Sequence, residues 1–463
     1  MVSPLDRKTI AIVGGGFTGA AVAYHLAHEH VGARILVFEP RPSLGGGLAY
    51  DTSDSAHRIN VPAGKMSLIP GDEGHFSRWI ADADAVSDDP GAVGPDGNLY
   101  PRREVFGRYV AEQLAASLAQ GCVTHVRDRV AAIDREAGKW VVSGQSGREE
   151  KADVVVLATT HPSPMVPAVL ESALGDDPRL IRDSCADGAL SNVAADARVF
   201  IVGTGLTMAD VVASLDARGH HGQITAISRR GLLSRGHPSQ PSEPLGSFAD
   251  QRHTALSLLQ NVRATIGVAA EAGISWHAVI DAVRAQGQAL WPKLAVQEQR
   301  RIVRHLRPFW DVHRFRVAPQ VEQVLQRRQR EGTLEVFPAS LRGATAGPQS
   351  IAVEFKRRGR QAPQILSCDA IVVTTGPAHH WAVATQPHLA GLARAGIITA
   401  DSVGLGIACD RRGRAVDRNG LPVEGLFIAG PLARGTVGEL MGLPQVSDYA
   451  QFIAGQIRDL LNP

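Results

Sequence analysis

The chain has 463 residues, 44% of them hydrophobic and 20% charged, with a formal net charge of +2. That length exceeds one ordinary core, so two or more domains are expected. The near-neutral balance gives no reason to expect nucleic acid or an anionic membrane as partner. No apolar run reaches the length of a bilayer span. The four cysteines include no CxxC pair, which argues against a disulfide framework or a redox dithiol and suits a reducing cytoplasm. Each cysteine is expected to be a small buried hydrophobe.

The opening MVSPLDRK leads directly into an apolar run, Thr9 to Val13, which leaves no room for a signal peptide. A cytoplasmic location is the expectation. The run reads as a buried parallel strand. It enters Gly14-x-Gly16-x-x-Gly19, with Phe17 and Thr18 between the glycines, and then an Ala-rich helix through Leu26. A second strand, Arg34 to Phe38, ends on Glu39. In such a register the first glycine makes a tight turn, the second admits a pyrophosphate and the third lets the helix pack on the strand. The helix N-terminus offers N–H groups to the phosphates, and the acid accepts from a ribose. A dinucleotide site is therefore expected here. The following PRPSLGGGLAY places Gly46 and Gly47 where backbone can pass close to a flat ligand; a mobile loop is the alternative.

In HRINVPAGKMS, Asn60 and Lys65 are candidates for the neighbourhood of the reacting ring, Asn60 because its amide both donates and accepts. Asn60 holding its own loop is an equal reading. Asp82 to Asn98 reads as an exposed loop. YPRREVFGRYVAEQLAASLA reads as a turn and an amphipathic helix with Val105, Tyr109, Leu114 and Leu118 inward. Arg102 and Arg103 stand at its N-terminus, the unfavourable end of the dipole, which suggests an anionic partner elsewhere or a solvated surface pair.

From Val123 the pattern turns to β and finishes in ADVVVLATT, ending at Thr159. The same succession recurs from Leu334 to Gly376 and finishes in CDAIVVTTG. Each copy follows a glycine fingerprint, so the architecture reads as duplicated. The second fingerprint is Gly203-Thr-Gly205-Leu206-Thr207-Met208, with Met208 in the third glycine's place. Its second strand ends on Ser228, Arg229 and Arg230 instead of an acid. Arginines there pair with a 2′-phosphate that an acid would repel, so this unit is expected to prefer NADPH. Two solvated arginines are the alternative.

Ser247 to Gln329 is helical in pattern and has no counterpart in the first unit. Its densest stretch, LRPFWDVHRFRVAP, supplies Trp310, Asp311 and Arg314 as candidates for closing over a substrate; aromatics packing within a cap is the alternative. A last strand ends in Gly430-Pro431, before a glycine-rich turn and a helix from about Val446. This segment is expected to return to the first unit.

Two fingerprints, the second nested and tuned for NADP, resemble the plan of two-dinucleotide-binding flavoproteins, in which the first site holds FAD. LATTHPSP is similar to a strand end of class B flavin monooxygenases. GLAYDTSDSAHRINVPAGKMS, YPRREVFGRYV, VGTGLTMAD and LRPFWDVHRFRVAP resemble a family of bacterial FAD/NAD(P)-binding proteins, distantly similar to the N-hydroxylating monooxygenases of lysine and ornithine. The resemblance covers most of the chain. It departs at GPLARGTVGE, where Gly438 stands in place of an expected Trp. That change is expected to enlarge or reshape the substrate pocket.

The resemblance implies an α/β fold of two Rossmann-like domains with a helical insertion. A discontinuous FAD domain would span 1–165 and 365–463, and a nested NADPH domain 166–364, with the insertion at 240–330. It implies an NADPH-dependent flavin monooxygenase passing oxygen from O2, through a flavin C4a-(hydro)peroxide, to an amine nitrogen or sulfur of a small molecule. No metal-ligand or Ser–His–Asp arrangement is seen in the sequence. An NADPH:acceptor flavin oxidoreductase is the runner-up, and a non-catalytic nucleotide-binding regulator a third reading. A homo-oligomer is open.

Overall fold

The computed structural model describes residues 7–160, 162–249 and 254–462. Residues 1–6, His161 and 250–253, which fall within the expected first unit and insertion, lie outside the described residues.

The first unit is built on β1 (Thr9–Val13), β2 (Arg34–Phe38) and β3 (Val123–Val126). Three antiparallel strands, β4 (Val130–Glu136), β5 (Lys139–Gly144) and β6 (Glu149–Ala152), make a separate small sheet before β7 (Val154–Leu157) returns beside β1. All residues of β1 and β7 are buried. A parallel strand covered on both faces requires this, which is why both read as unbroken apolar runs. Helix α1 (Phe17–His28) covers one face; its Ala20, Ala21 and Ala23 are fully buried. Helix α2 (Arg103–Ala119) follows the glycine loop and turns Val105, Tyr109 and Leu114 into the core.

The second unit repeats this plan. β8 (Leu180–Ile181), β9 (Val199–Val202) and β10 (Ile224–Ser228) are followed by β11 (Leu334–Ala346), β12 (Ile351–Arg357), β13 (Gln364–Cys368) and β14 (Ala370–Val373), in the order β13-β12-β11-β10-β9-β14-β8. β14 lies parallel to β9 as β7 lies parallel to β1. Helix α3 (Leu206–Ala217) stands in the position of α1 and has the same length, 12 residues. β11 serves two partners, parallel to β10 over Leu334–Pro338 and antiparallel to β12 thereafter.

The chain then returns through β15 (Arg414–Val416) and β16 (Pro422–Ile428), completing a first sheet in the order β15-β16-β7-β1-β2-β3. The expected boundary at 365 is therefore corrected. β13 and β14 belong to the second sheet, because the apolar strand after the excursion pairs with its own fingerprint strand, and the crossing comes after Val373.

Between β10 and β11 lie four principal helices: α4 (Ala255–Glu271), α5 (Trp276–Ala285), α6 (Arg307–Arg314) and α7 (Pro319–Arg330). Thr254 and Ser257 form a capping box at the start of α4, each hydroxyl accepting from the other's backbone N–H. A π-helical turn, Ile302–Leu306, precedes α6. Pro308 explains it: with no N–H and a ring that crowds the carbonyl of Arg304, the regular ladder cannot continue. The last helix, α8 (Gln445–Leu461), buries Ile453, Ala454 and Ile457 against α1. Among the described residues no helix is long and apolar enough to cross a membrane.

Candidate functional site

The first glycine turn gathers the residues expected of a dinucleotide cradle. Gly14 lies against Ala158 and Thr159 at the end of β7; Gly16 lies against Gly47, and Gly430 against Thr18. Pro431 follows at the start of a 3-10 turn, and Gly46 precedes a short helix, Gly47–Tyr50. Gly14, Gly16, Phe17 and Thr18 are partly exposed around the start of α1, whose N-cap, Gly16, supplies no side chain to its N–H groups. Gly19 must be glycine: a Cβ there would stand 1.9 Å from the Gly14 carbonyl oxygen. A Cβ on Gly47, at φ +53°, would meet the Gly16 Cα at 2.8 Å. Side chains at these points would fill the groove a pyrophosphate enters.

The Thr159 hydroxyl oxygen is buried with no hydrogen-bond partner among the described residues. Such a group wants a ligand. Glu39 is 4% exposed and accepts from the Gly15 and Arg41 N–H groups at 3.1 and 3.0 Å, with the Arg41 guanidinium at 3.2 Å. The acid thus ties the glycine turn to the end of β2. An uncapped helix, a side-chain-free groove and an orphaned hydroxyl fit a dinucleotide in this unit.

The second turn is assembled the same way. Gly203, Gly205, Leu206 and Thr207 are partly exposed at the start of α3, again without a side-chain cap. Met208 is fully buried in the core, so the residue in the third glycine's place is turned away from the turn's open side. The Ser228 hydroxyl accepts from Thr204 at 2.8 Å and from the Gly231 N–H at 2.9 Å, shaping the arginine turn. Arg229 is exposed and without an ion-pair partner among the described residues. Arg230 lies over the Phe309 ring, 4.8 Å from its centroid, and reaches the His305 carbonyl.

Asn60 stands between the units. Its side-chain oxygen accepts from the Ala318 N–H at 3.1 Å, just before α7, and its carbonyl accepts from His237 at 2.9 Å. Lys65 is exposed. Arg103 answers the question of its partner: it donates to Asp210 on α3 at 2.9 Å and to the Arg58 carbonyl at 2.8 Å. Arg102 pairs with Asp88 at 2.9 Å. The anionic partners are internal, and one of them joins the two units. Asp89, inside the expected exposed loop, is buried and takes Arg58 in a two-point pair at 2.8 Å. Cys368 and Cys409 are buried as expected, whereas Cys122 and Cys185 are exposed; both sit in turns, where no strand or helix draws them inward.

The insertion makes most of the wall of a half-open cavity of about 560 Å³. Leu258, Val262, Ile266, Ile280, Leu290 and Leu306 are among its walls, with Trp291, Phe309 and Trp310. Its inner side is the turn that begins at the first cradle with Gly430 and reaches Arg434, Gly438 and Glu439. Its other side carries Phe309, under Arg230 of the second unit. The cavity therefore adjoins segments from both dinucleotide turns.

Sequence reasoning named Asp311 and Arg314 here but missed Arg284, Arg434 and Glu439. Arg314 is buried and paired with Glu439 at 2.8 Å, and so is held within the structure instead of reaching over a ligand. Asp311 pairs with Arg307 at 3.2 Å; burial raises its pKa, opposed by Arg307 and Arg434. Arg284 donates to the Leu443 carbonyl at 2.6 Å and to Gln445, and burial pushes its pKa down to about 10. Trp291 lies against Gly438, where a Cβ would come within 2.7 Å of the Trp291 Cβ, and its indole N–H donates to the Gly435 carbonyl at 2.8 Å. The space left by Gly438 is thus taken by an indole from the insertion. Trp291 is visible in the sequence between Leu290 and Leu294, but nothing linear connects it to Gly438.

Two Rossmann-type units, one inserted in the other and each turning on a glycine fingerprint, define a fold of two dinucleotide-binding domains. Residues 11–162 match the family described as FAD-NAD(P)-binding. The chain is similar in structure to ornithine hydroxylase from Pseudomonas aeruginosa in its reduced form, with TM-score 0.66, 17% identity and coverage of 98% of this chain and 99% of that one. It is also similar to ornithine N-hydroxylase of Kutzneria sp. 744 with reduced FAD, NADP+ and L-ornithine, with TM-score 0.63, 18% identity and the same coverage. A third is the FAD-bound cadaverine monooxygenase of Erwinia amylovora, with TM-score 0.63, 14% identity and coverage of 97% and 94%. Likeness at such identities is likeness of fold. None of the curated proteins matches the chain in sequence.

Proposed function

We propose that the protein is an NADPH-dependent flavin monooxygenase, with FAD in the first cradle and NADPH in the second, acting on a small molecule with O2. The observation that carries this reading is the cavity. It adjoins the turn from the first cradle on one side and, on the other, Phe309, on which Arg230 of the second unit lies. FAD, reduced by NADPH, would supply the oxygen chemistry; the chain binds, orients and excludes water. Gly14, Gly16, Gly19, Gly46, Gly47, Thr159, Gly430 and Pro431 hold the FAD, with Glu39 toward its ribose. Gly203, Gly205, Leu206, Thr207, Ser228, Arg229 and Arg230 hold the NADPH. The fold's similarity to flavin-dependent hydroxylases of ornithine and cadaverine supports an amine nitrogen as the atom oxygenated, with sulfur as the other soft nucleophile.

The test begins with reconstitution: purified protein mixed with FAD should turn yellow and retain the flavin through gel filtration. NADPH consumption should then require O2 and yield a hydroxylated product. Equal turnover without O2 in the presence of a quinone would replace this reading with the acceptor oxidoreductase. A colourless protein that retains no FAD would remove both.

A further inference from the structure

The cavity in the insertion has walls largely of one chemical kind and an inner end of another. Leucine, isoleucine, valine and tryptophan make most of the wall, which Arg263, Arg307, His313 and Glu439 also line. The inner end carries Arg434, which is 5% exposed. Its nearest anion is Asp311, at 3.8 Å, beyond hydrogen-bond reach, and no hydrogen bond to its guanidinium is made among the described residues. A buried guanidinium with five N–H donors and no acceptor is costly unless something else supplies one.

The surrounding charges do not balance it. Arg284, Arg307, Arg314 and Arg434 face Asp311 and Glu439, with the paired Arg316 and Asp281 beside Arg284, so five cations meet three anions among the described residues. Glu439 is already paired with Arg314, and Asp311 with Arg307. Asp311 Oδ1 is buried with no hydrogen-bond partner among the described residues and lies 3.8 Å from the Arg434 guanidinium; the cations still outnumber the anions.

We propose that this cavity binds an amphipathic carboxylic acid, its apolar body along the wall and its carboxylate on Arg434. A guanidinium takes a carboxylate in a two-point, charge-assisted pair. A volume of about 560 Å³ suits a drug-sized body rather than a bare amino acid. The π-turn Ile302–Leu306 shapes the wall by pushing Ile302, Val303 and Leu306 into it. The proposal rests on the flavin monooxygenase reading for calling this acid the substrate, which would then also carry the amine nitrogen or sulfur to be oxygenated. The binding site itself is independent of that reading.

The test uses the FAD-reconstituted full chain and three eight-carbon probes, octanoate, 1-octanol and octylamine, followed by fluorescence of the tryptophans that line the cavity. Octanoate should bind at least tenfold more tightly than either of the others. From hexanoate to decanoate, affinity should rise about three- to fourfold per methylene. Arg434→Met should abolish the preference for octanoate over octanol, and Leu290→Trp, which fills the wall, should weaken all three. Should Arg434→Met fail to fold, the ranking of probes on the unaltered chain still decides. Octylamine binding as tightly as octanoate, octanol doing so, or Leu290→Trp binding unchanged would overturn the proposal. NADPH oxidation under air is measured separately. Absent turnover with intact octanoate selectivity removes the flavin reaction and keeps the site; turnover with amine selectivity does the reverse.

Discussion

Arg229 and Arg230 are neighbours in sequence with unlike surroundings. Arg229 is exposed and unpaired among the described residues, while Arg230 lies on Phe309 and reaches the His305 carbonyl. Arg229→Ala should therefore raise the KM for NADPH about ten- to hundredfold, the loss of a charge-assisted bond of about 1.5–3 kcal/mol, and leave the KM for NADH nearly unchanged. Steady-state kinetics with both nucleotides checks it; equal effects would remove the phosphate role. At Gly438 the expectation concerns packing. Gly438→Trp should destabilise the fold by collision with Trp291, and the double variant with Trp291→Gly, which removes the colliding Cβ, should recover only part of the loss. The remainder is the strain of a side chain at φ +95°, about 1–3 kcal/mol. A double-mutant cycle on urea midpoints measures both parts.

At the scale of elements, α1 and α3 show how one fingerprint tolerates two third residues. Gly19 meets the carbonyl of Gly14, whereas Met208 is buried in the core. Gly19→Ala should push α1 off its turn and lose FAD on gel filtration. Met208→Ala should cost stability, about 2–5 kcal/mol, with NADPH binding retained. Finding FAD retained in Gly19→Ala at full occupancy would contradict the contact. The strands of both units were legible because a fully buried parallel strand has one sequence solution, an unbroken apolar run. The boundary at 365 was misplaced for a related reason. β7 and β14 are alike in sequence, and apolar runs do not state which sheet they join. The insertion was legible as helical, but its π-turn was not, since Pro308 alone does not distinguish a kink from an ending.

At the scale of the whole molecule, the two units are joined by side chains at several points. Arg103 meets Asp210, His57 lies 3.2 Å from the Ser214 hydroxyl, and Asn60 accepts from Ala318. Three histidines, His25, His237 and His388, are pushed down to about 4 by burial, from an ordinary value of 6.5. The unfolded chain takes up these protons first. Stability is therefore complete above pH 6.5 and falls as the pH drops toward 4, each histidine adding a slope of about 1.4 kcal/mol per pH unit. Urea midpoints between pH 7 and 4 should show the fall, and His388→Leu should reduce its steepness. A profile flat over that window would mean the histidines are hydrated.

What the sequence determined by itself was local: two glycine turns, the strands entering them, and a Ser-Arg-Arg end in place of an acid. These depend on residues within a few positions of one another, so their order along the chain carries the information. Only the tertiary structure decided which distant groups share a space. It set Trp291 against Gly438, committed Arg314 to Glu439, and left Arg434 without a hydrogen-bond acceptor among the described residues in a largely apolar cavity. Burial and pairing are properties of the folded chain, and no spacing along the sequence states them.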